Sequence, residues 1–328
     1  MLDSILESIQ VVALPTKTSF RSVDTREVLL IQGPHGWGEF SPFVEYTPRE
    51  CVPWLVSAIE SAYVSPPTKI REWIPVNATM PAVNGEQAIA EVLSWFPGCT
   101  SVKVKVGIDN AQDLARIEIV RQLIPNAKIR LDVNGNWSVE QALEILEKVS
   151  ELGSIEFVEQ PCATESELRE LKNLLSTPIL IAGDEIIRKS IDPLALNLDA
   201  MIDIVALKVA PLGGIKNCLN IAKHFQKPVV VSSALDSAVG ISYGLKLAST
   251  LSQLPYACGL ATGALLAIDL YELPIVNGAI KVNSMNPNPQ ILSECAVSGN
   301  RLDWWRDRVR QTWSAGADKW VTKEGWLS

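Results

Sequence analysis

The chain has 328 residues, 29 basic and 37 acidic, so its formal net charge is −8. This acidic balance, with basic residues scattered singly, argues against a nucleic-acid-binding protein and against a basic membrane-binding segment. Apolar residues make up 47% of the chain, too many for disorder, yet no run approaches the roughly 18 uncharged apolar residues of a membrane span. The first residues lack the basic and apolar regions of a signal peptide, so we expect a cytoplasmic protein.

The N-terminal part of the chain predicts a hairpin followed by a helix. Residues 27–31 and 36–40 flank a Gln-Gly-Pro-His turn, which favours two antiparallel strands. Residues 48–62 carry apolar positions at helical spacing. The Ser65-Pro-Pro segment that follows is a natural boundary between this part and the rest of the chain.

Beyond residue 74, short apolar runs alternate with helical segments. Capping boxes at Ser138–Gln141 and Thr164–Glu167 indicate helix starts, and Asp192 before a proline predicts another. Eight strands alternating with helices predict a parallel sheet closed as a (β/α)₈ barrel. An open doubly wound sheet is the alternative, although the glycine-rich phosphate loop typical of it is missing. The eight strand-like runs are 74–78, 102–106, 129–133, 155–159, 179–184, 204–208, 229–233 and 257–260.

Histidine and cysteine, the usual residues of zinc and relay sites, are scarce. The two histidines, His35 and His224, stand without a partner motif, so neither a histidine-based zinc site nor a serine–histidine–aspartate relay is expected. The six cysteines are far apart with no Cys-x-x-Cys pair, which is typical of reduced structural cysteines. Any chemistry must therefore use carboxylates and lysines.

Ionisable residues stand at the carboxyl ends of five successive predicted strands. They are separated by 24 to 27 residues, about one strand–helix unit each. Because side chains alternate along a strand, Lys103 lies on the same face as Lys105. The carboxyl ends of barrel strands form the end where active sites of this fold lie. The five residues are Lys105, Asp132, Glu159, Asp184 and Lys208.

Three carboxylates that converge inside a barrel need a counter-charge. For any one of these residues an ordinary salt bridge is the simpler interpretation, but five at matched spacing favour a site. Oxygen ligands without histidine or cysteine suit Mg²⁺, which would leave room for water and a substrate carboxylate. A bound carboxylate could accept charge when its α-proton is removed, giving an enediolate. Lys103 and the metal would favour the neutral, basic form of Lys105, with Lys208 on the opposite side of the substrate.

These motifs closely resemble those of the enolase superfamily, in its muconate-lactonising-type branch. The resemblance covers residues 75 to 295 and implies an α/β fold, a modified (β/α)₈ TIM barrel with a smaller α+β capping domain. We therefore expect a capping domain at 1–74 and a catalytic barrel at 75–297, with the tryptophan-rich tail 298–328 packing back on the cap. The motifs are Lys103-Val-Lys105, Asp132-Val-Asn134, Glu159-Gln-Pro161, Gly183-Asp184-Glu185 and Lys208.

Two further motifs are Gly36-Trp-Gly-Glu-Phe-Ser-Pro42 and Ser232-Ser-Ala-Leu-Asp-Ser-Ala-Val-Gly240. With them the chain resembles, within this branch, the dehydratases of menaquinone biosynthesis. These remove water from 2-succinyl-6-hydroxy-2,4-cyclohexadiene-1-carboxylate to give 2-succinylbenzoate. The resemblance implies that Lys105 removes the α-proton and then protonates the departing hydroxide on the same face, while Lys208 contacts the planar intermediate as a cation. It further implies that Mg²⁺, or Mn²⁺ in its place, is bound by three carboxylates: Asp132, Glu159 and Asp184.

The sequence also indicates substrate-binding and supporting residues. Ser232 and Ser233 close a strand where backbone N–H groups could hold the succinyl carboxylate, with Ser233 facing inward. Arg21 lies in the segment that corresponds to a cap loop over the site. A contact with the substrate and a solvated loop charge explain this residue equally well. Arg130 shares a face with Asp132 and is expected to orient it or reach the substrate. Asn134 and Glu185 are interpreted as partners of the ligands, together with Lys103, although Glu185 could equally be a solvent-facing loop charge.

The same two lysines and metal would also serve an N-acylamino acid racemase, because racemisation needs only one base on each face of the substrate. A non-catalytic barrel that binds a small molecule is the alternative from another class. We expect a small carboxylate substrate, with no nucleic acid, no membrane and no obligate protein partner.

Overall fold

The computed structural model describes residues 2–20, 22–284 and 286–326. The strands are β1 (Gln10–Phe20), β2 (Val23–Gly33), β3 (Gly36–Phe40), β4 (Trp73–Pro75), β5 (Ala78–Met80), β6 (Ser101–Lys105), β7 (Lys128–Asp132), β8 (Ile155–Glu159), β9 (Leu180–Gly183), β10 (Ile204–Lys208), β11 (Val229–Ser232) and β12 (Ala279–Lys281). The helices are α1 (Leu2–Ser8), α2 (Pro48–Tyr63), α3 (Glu86–Ser94), α4 (Asn110–Leu123), α5 (Val139–Glu151), α6 (Glu165–Leu174), α7 (Glu185–Arg188), α8 (Ile215–Phe225), α9 (Ala238–Thr250), α10 (Pro289–Glu294), α11 (Gly299–Thr312) and α12 (Asp318–Glu324).

The N-terminal strands form an antiparallel sheet in the order β1-β2-β3, covered by α2. The predicted hairpin and helix are thus both confirmed. Helix α2 begins with a capping box in which Thr47 and Glu50 bind each other's backbone N–H groups, with a proline at its first position. This sheet-and-helix unit is the N-terminal capping region of the fold, and its second strand carries Arg26 and Glu27 toward two different neighbours.

A seven-stranded parallel sheet follows, in the order β11-β10-β9-β8-β7-β6-β5. Its strands are buried on both faces, since the outward side chains pack under the helices in one large apolar cluster. A smaller cluster of Phe157, Ala182, Ile204, Ala206 and Val230 fills the inside of the curved sheet. The alternation predicts a closed (β/α)₈ barrel, and the parallel sheet of that prediction is confirmed over seven strands.

The strand predicted at 74–78 is wrong in detail. Residues Trp73–Pro75 instead form β4, which pairs antiparallel with β12, and the first strand of the parallel sheet is β5. The chain here changes partners, from Ala279 opposite Pro75 to Val102 opposite Ala78. The last predicted strand, 257–260, is present only as single parallel bridges, from Cys258 to Val76 and from Gly259 to Ser232.

The helix starts were predicted with one error. Ser138 and Thr164 form the expected capping boxes at α5 and α6. Asp192 does cap the residues that follow it, but they form a single 3₁₀ turn, Pro193–Ala195, rather than an α-helix. None of the described helices is long and apolar enough to cross a membrane.

Candidate active site

The five charged residues predicted at strand ends meet at one end of the parallel sheet. Strand register places Lys105 opposite Asp132 and Asp132 opposite Glu159, so the ends of β6, β7 and β8 lie at one level. Asp184 follows β9 directly, and Lys208 is the last residue of β10. The period-two alternation of each strand turns these side chains to the inside, where the three carboxylates and Lys208 are buried.

Lysine ammonium groups neutralise the carboxylates in pairs. Lys105 Nζ lies 2.6 Å from Asp132 Oδ2, and Lys208 Nζ lies 2.5 Å from Asp184 Oδ2. Lys103 Nζ lies 3.0 Å from Glu159 Oε2 and 3.2 Å from Asp132 Oδ2, so it joins two carboxylates. Buried charges without such partners would cost several kcal/mol each, which explains why lysines and carboxylates come together here.

These contacts perturb the carboxylate pKa values in opposite directions. Burial by itself would raise the pKa of Asp132, but the charges of Lys105 and Lys103 outweigh it and hold that pKa well below its usual range. The pKa of Asp184 is held low in the same way by Lys208 and Arg188, against the effect of burial. Glu159 has a raised pKa, because burial and the neighbouring carboxylates outweigh its lysine partners. Glu159, the middle carboxylate of the three, therefore holds a proton more readily than Asp132 or Asp184.

The donor set suits a hard divalent cation. Among the residues that the structure describes, no three His, Cys, Asp or Glu side chains are arranged so that they could hold a metal ion. Asp132 Oδ1 is nevertheless buried without a hydrogen-bond partner among the described residues. A buried carboxylate oxygen in this condition requires a hydrogen-bond donor or a cation, and oxygen donors are those preferred by Mg²⁺. Asp132, Glu159 and Asp184 thus fit such an ion.

The expected supporting residues form a hydrogen-bonded chain beside the cluster. Asn134 Oδ1 accepts a hydrogen bond from Lys105 Nζ at 2.7 Å, and Asn134 Nδ2 donates to Glu185 Oε1 at 3.1 Å. Glu185 is buried rather than solvent-facing and accepts a bond from Arg188. Asn134 sits at a φ of 53°, a left-handed conformation that asparagine tolerates better than most residues and that aims its amide at the lysine.

The two predicted serines line a wall of the cavity beside the lysines. Ser232 Oγ accepts a hydrogen bond from Lys103 Nζ at 3.4 Å, and Ser233 Oγ donates to the Gly259 carbonyl at 2.6 Å. Both border a small cavity with the three lysines, Asp132, Phe20 and Thr262. The cavity measures about 20 Å³, room for a single water molecule. Phe20 closes it, with its ring 5.5 Å from Lys105 Nζ.

Known proteins with similar sequences share both the fold and the length of this chain. The Enolase C-terminal domain-like family profile matches residues 87–287, and the Enolase N-terminal domain-like profile matches residues 11–62. The o-succinylbenzoate synthase of Mycobacterium ulcerans is 48% identical over 313 residues, 94% of each chain. That of Mycobacterium tuberculosis is 47% identical over 317 residues, 95% of this chain and 96% of its own. The chain belongs to the o-succinylbenzoate synthase family of the enolase superfamily.

Solved structures agree on the fold of this family member. Muconate lactonizing enzyme from Pseudomonas putida superposes with a TM-score of 0.72 over 88% of this chain and 98% of its own, at 20% identity. The N-succinyl Arg/Lys racemase from Bacillus cereus superposes with a TM-score of 0.75, also at 20% identity, over 88% of this chain and 97% of its own. At this level of identity the likeness concerns the fold alone. The enolase-superfamily fold predicted from the motifs is confirmed.

Arg130, an expected site residue of this family member, makes other contacts than those predicted. Arg130 lies two residues before Asp132 on β7, and its guanidinium binds Glu156, Asn77 and the Ala257 carbonyl. It is fully buried inside the curved parallel sheet, 4.7 Å from the Phe157 ring, so these contacts assign it to the interior of the sheet rather than to the pocket. Its predicted role in orienting Asp132 is not supported by them. The prediction for Arg21 falls outside the described residues.

Arg188 is the main residue of the site that sequence patterns did not predict. Its Nε lies 3.2 Å from Asp184 Oδ1 and its Nη2 lies 2.6 Å from Glu185 Oε1. A third bond joins its Nη1 to the Tyr46 hydroxyl, 3.2 Å away in the capping region. The signal was present, because residues three and four apart on a helix are neighbours, and Arg188 follows Glu185 and Asp184 at those distances.

Proposed function

We propose that this chain catalyses the reaction of o-succinylbenzoate synthase, the loss of water from 2-succinyl-6-hydroxy-2,4-cyclohexadiene-1-carboxylate to give 2-succinylbenzoate in menaquinone biosynthesis. The observation that carries the proposal is identity of 47–48% to such enzymes over nearly the whole chain. The pocket supports it, because Lys105 of strand β6 and Lys208 of strand β10 both line the cavity.

In this reaction Lys105, as a neutral amine, takes the proton next to the substrate carboxylate. The pair of electrons released moves into the ring and the hydroxyl group departs from the same face. Lys105, now an ammonium, donates its proton to that hydroxyl, so water leaves and the base is regenerated. Asn134 orients Lys105 through its 2.7 Å hydrogen bond, and Lys208 places a positive charge against the opposite face of the ring.

Asp132, Glu159 and Asp184 would hold Mg²⁺, with Mn²⁺ as a substitute. Such an ion supplies positive charge to the substrate carboxylate while the α-carbon loses its proton. Lys103 remains between Asp132 and Glu159 as their second counter-charge. Phe20 must withdraw to admit the ring, because the present cavity holds no more than a water molecule. Ser232 and Ser233 line the wall left for the succinyl group, and Arg21 remains a candidate substrate-binding residue from the sequence.

We further propose that residues 257–260 complete the barrel as its eighth strand. Their bridges to Val76 and Ser232 reach toward both edges of the seven-stranded sheet and support this closure. The division into a cap at 1–74 and a barrel at 75–297 is part of the same proposal. Six cysteines without disulfides, all within the described ranges, support a reducing cytoplasm as the site of action. The substrate is a small carboxylate, and no protein, nucleic-acid or membrane partner is required.

The test is turnover by the purified protein. With Mg²⁺ it should form the aromatic product, seen as new ultraviolet absorption, and a chelator should stop the reaction. Lys105→Ala should lower kcat by at least about 10³-fold, a loss typical of removing the group that transfers the proton. Lys148→Ala, the same substitution at an exposed position of α5, serves as the control with normal turnover. Dehydration that survives both Lys105→Ala and chelation would disprove the mechanism, while deuterium exchange into N-acylamino acids without dehydration would favour a racemase.

A further inference from the structure

The pocket wall formed by residues 233–237 is held from outside by the capping sheet. Ser233, Ala234 and Leu235 border the active cavity together with Lys105 and Lys208. The segment then leads into α9, for which Ser237 is the N-cap residue. Its shape therefore decides how one side of the substrate is received.

Leu235 has a strained backbone. Its φ is 62°, a left-handed value that is unfavourable for a residue with a bulky side chain, and its side chain is completely buried. Such a conformation persists only where surrounding contacts impose it. One of those contacts is on its carbonyl oxygen, which accepts a hydrogen bond from Arg26 Nε of β2 at 3.0 Å.

Arg26 is well placed to impose that conformation. It is nearly fully buried and also donates to the Ser41 carbonyl, while its guanidinium stacks 4.6 Å from the Phe43 ring. A guanidinium has donors in a rigid planar fork, so these contacts fix its position. The Leu235 carbonyl is thereby tied to the capping sheet.

Glu39 of β3 holds the other end of the segment. Its Oε2 accepts hydrogen bonds from Ser237 Oγ at 2.5 Å and from the Gly240 N–H at 2.8 Å. Its Oε1 accepts bonds from the Ser237 N–H at 3.2 Å and from Ser41 Oγ at 2.6 Å. A carboxylate bound to free N–H groups in the first turn of a 13-residue helix is favoured by the helix dipole.

Gly240 and Asp236 complete this contact. A Cβ atom at Gly240 would lie 2.7 Å from Asp236 Cβ and 2.8 Å from Glu39 Oε2, so glycine is needed for the carboxylate to reach the helix. Asp236 binds the Ala234 N–H at 3.3 Å within the segment itself. Burial, then the charge of Glu39, raises the pKa of Asp236 to about 7, so the segment is sensitive to the charge that the cap presents.

We propose that Arg26 and Glu39 are positioning residues for the reaction: acting from the cap, they set the conformation of residues 233–237 and thereby the substrate-binding wall. This inference rests on the proposed function for its kinetic consequence. The site then has two parts. The lysines and carboxylates come from strands β6 to β10, whereas the conformation of the wall, residues 233–237, depends on the cap.

The decisive variants are Glu39→Gln and Arg26→Lys in the full-length, Mg²⁺-loaded protein. Each substitution keeps a side chain of similar length. The glutamine NH₂ group is a donor and cannot accept a hydrogen bond from an N–H group, and lysine lacks the several donors of a planar guanidinium. Losing such charge-assisted hydrogen bonds should raise KM about tenfold while kcat changes by less than about threefold. A purely structural role would lower the amount of active enzyme, and thus apparent kcat, without raising KM.

Glu27→Gln is the matched control. Glu27 follows Arg26 on the same strand and also binds several donors, but these are Arg301, at 2.9 Å, and the Trp305 indole, at 3.0 Å, in the tail. The control should lose stability with unchanged KM. Hydrogen exchange gives a second readout: the Ser237 and Gly240 amides should exchange faster in Glu39→Gln than in Glu27→Gln.

The outcomes separate this inference from the proposed function. If the wild-type protein does not dehydrate the substrate, the proposed function fails, and amide exchange still tests the contact. If the wild type turns over and Glu39→Gln matches Glu27→Gln in KM and in exchange at residues 233–240, the inference is overturned. Should Glu39→Gln fail to fold, Ser237→Ala, which removes one of the four bonds to Glu39, is measured in its place with the same expectations.

Discussion

At the scale of single residues, each buried carboxylate of the site forms an ion pair with a lysine. Asp132 and Asp184 each have a lysine within 2.6 Å, while Glu159 shares Lys103 with Asp132. The strength of these pairs depends on exclusion of water, because the same ion pairs on the surface would contribute little.

Asp269 provides a pH test away from the cluster. Burial raises its pKa to about 7, although the Ala238 and Leu270 N–H groups bind it at 2.9 and 2.7 Å. In an unfolded chain an aspartate has a pKa of about 3.9. Because the pKa of Asp269 is higher in the folded protein, its contribution to the free energy of unfolding is complete below pH about 4. That contribution is lost as the pH rises through about 7.

Wild type should therefore lose more stability than Asp269→Asn when the pH rises from 5 to 8. The free energies of unfolding come from urea titrations at each pH, and asparagine keeps an acceptor for both N–H groups. The comparison cancels the effect of Asp236, which titrates in both proteins. Parallel pH profiles for the two proteins would show that Asp269 is ionised in the folded state throughout this range.

At the scale of elements, the cap depends on an unusually close approach of β3 to α2. A Cβ atom at Gly38 would overlap the Ala58 carbonyl, which belongs to the backbone of the helix. Gly33 stands in the same relation to Ala62, one helical turn further along. Two glycines on neighbouring strands thus allow the helix to lie directly against the sheet, which brings Glu39 within reach of α9.

Gly38→Ala should destabilise the protein by about 1–3 kcal/mol or more, because a backbone carbonyl cannot move aside as a side chain can. Urea unfolding measures the loss. Adding Ala58→Gly should not restore stability, since the overlap is with the main chain of Ala58. Recovery in the double variant would show that the methyl group of Ala58 was the obstacle.

At the scale of the whole molecule, the C-terminal helix α11 holds the cap together. Trp305 is completely buried among cap residues, with its ring 6.0 Å from that of Phe40, and its indole N–H binds Glu27. Arg308 adds bonds to the carbonyls of Phe43 and Val44, beside the loop that leads into α2. The first and last parts of the chain therefore fold as one unit over the parallel sheet.

Trp305→Ala should cost about 3–5 kcal/mol, the range for large aromatic residues removed from a core. Its neighbour Trp304 is only partly buried and provides the matched control, for which a smaller loss is expected. Thermal unfolding of the two variants gives the comparison. Equal losses of stability in the two variants would contradict the finding that α11 packs against the cap mainly through Trp305.

The sequence by itself determined the alternation of strands and helices and the identity of the five charged residues at the strand ends. Both follow from short-range rules, since side chains alternate along every strand and successive units deliver their ends to one side of the sheet. The same local rules placed the capping boxes of α5 and α6 correctly.

Only the tertiary structure decided which of these residues touch. Arg130 and Asp132 share a face of β7, yet Arg130 binds Glu156 and Asn77 inside the curved sheet, away from the cluster. Arg188 joins the site, and Arg26 and Glu39 reach it from the cap across about 200 residues of sequence. Contacts between distant segments are selected by the packing of whole elements and by the need to pair every buried charge, and neither is contained in local periodicity.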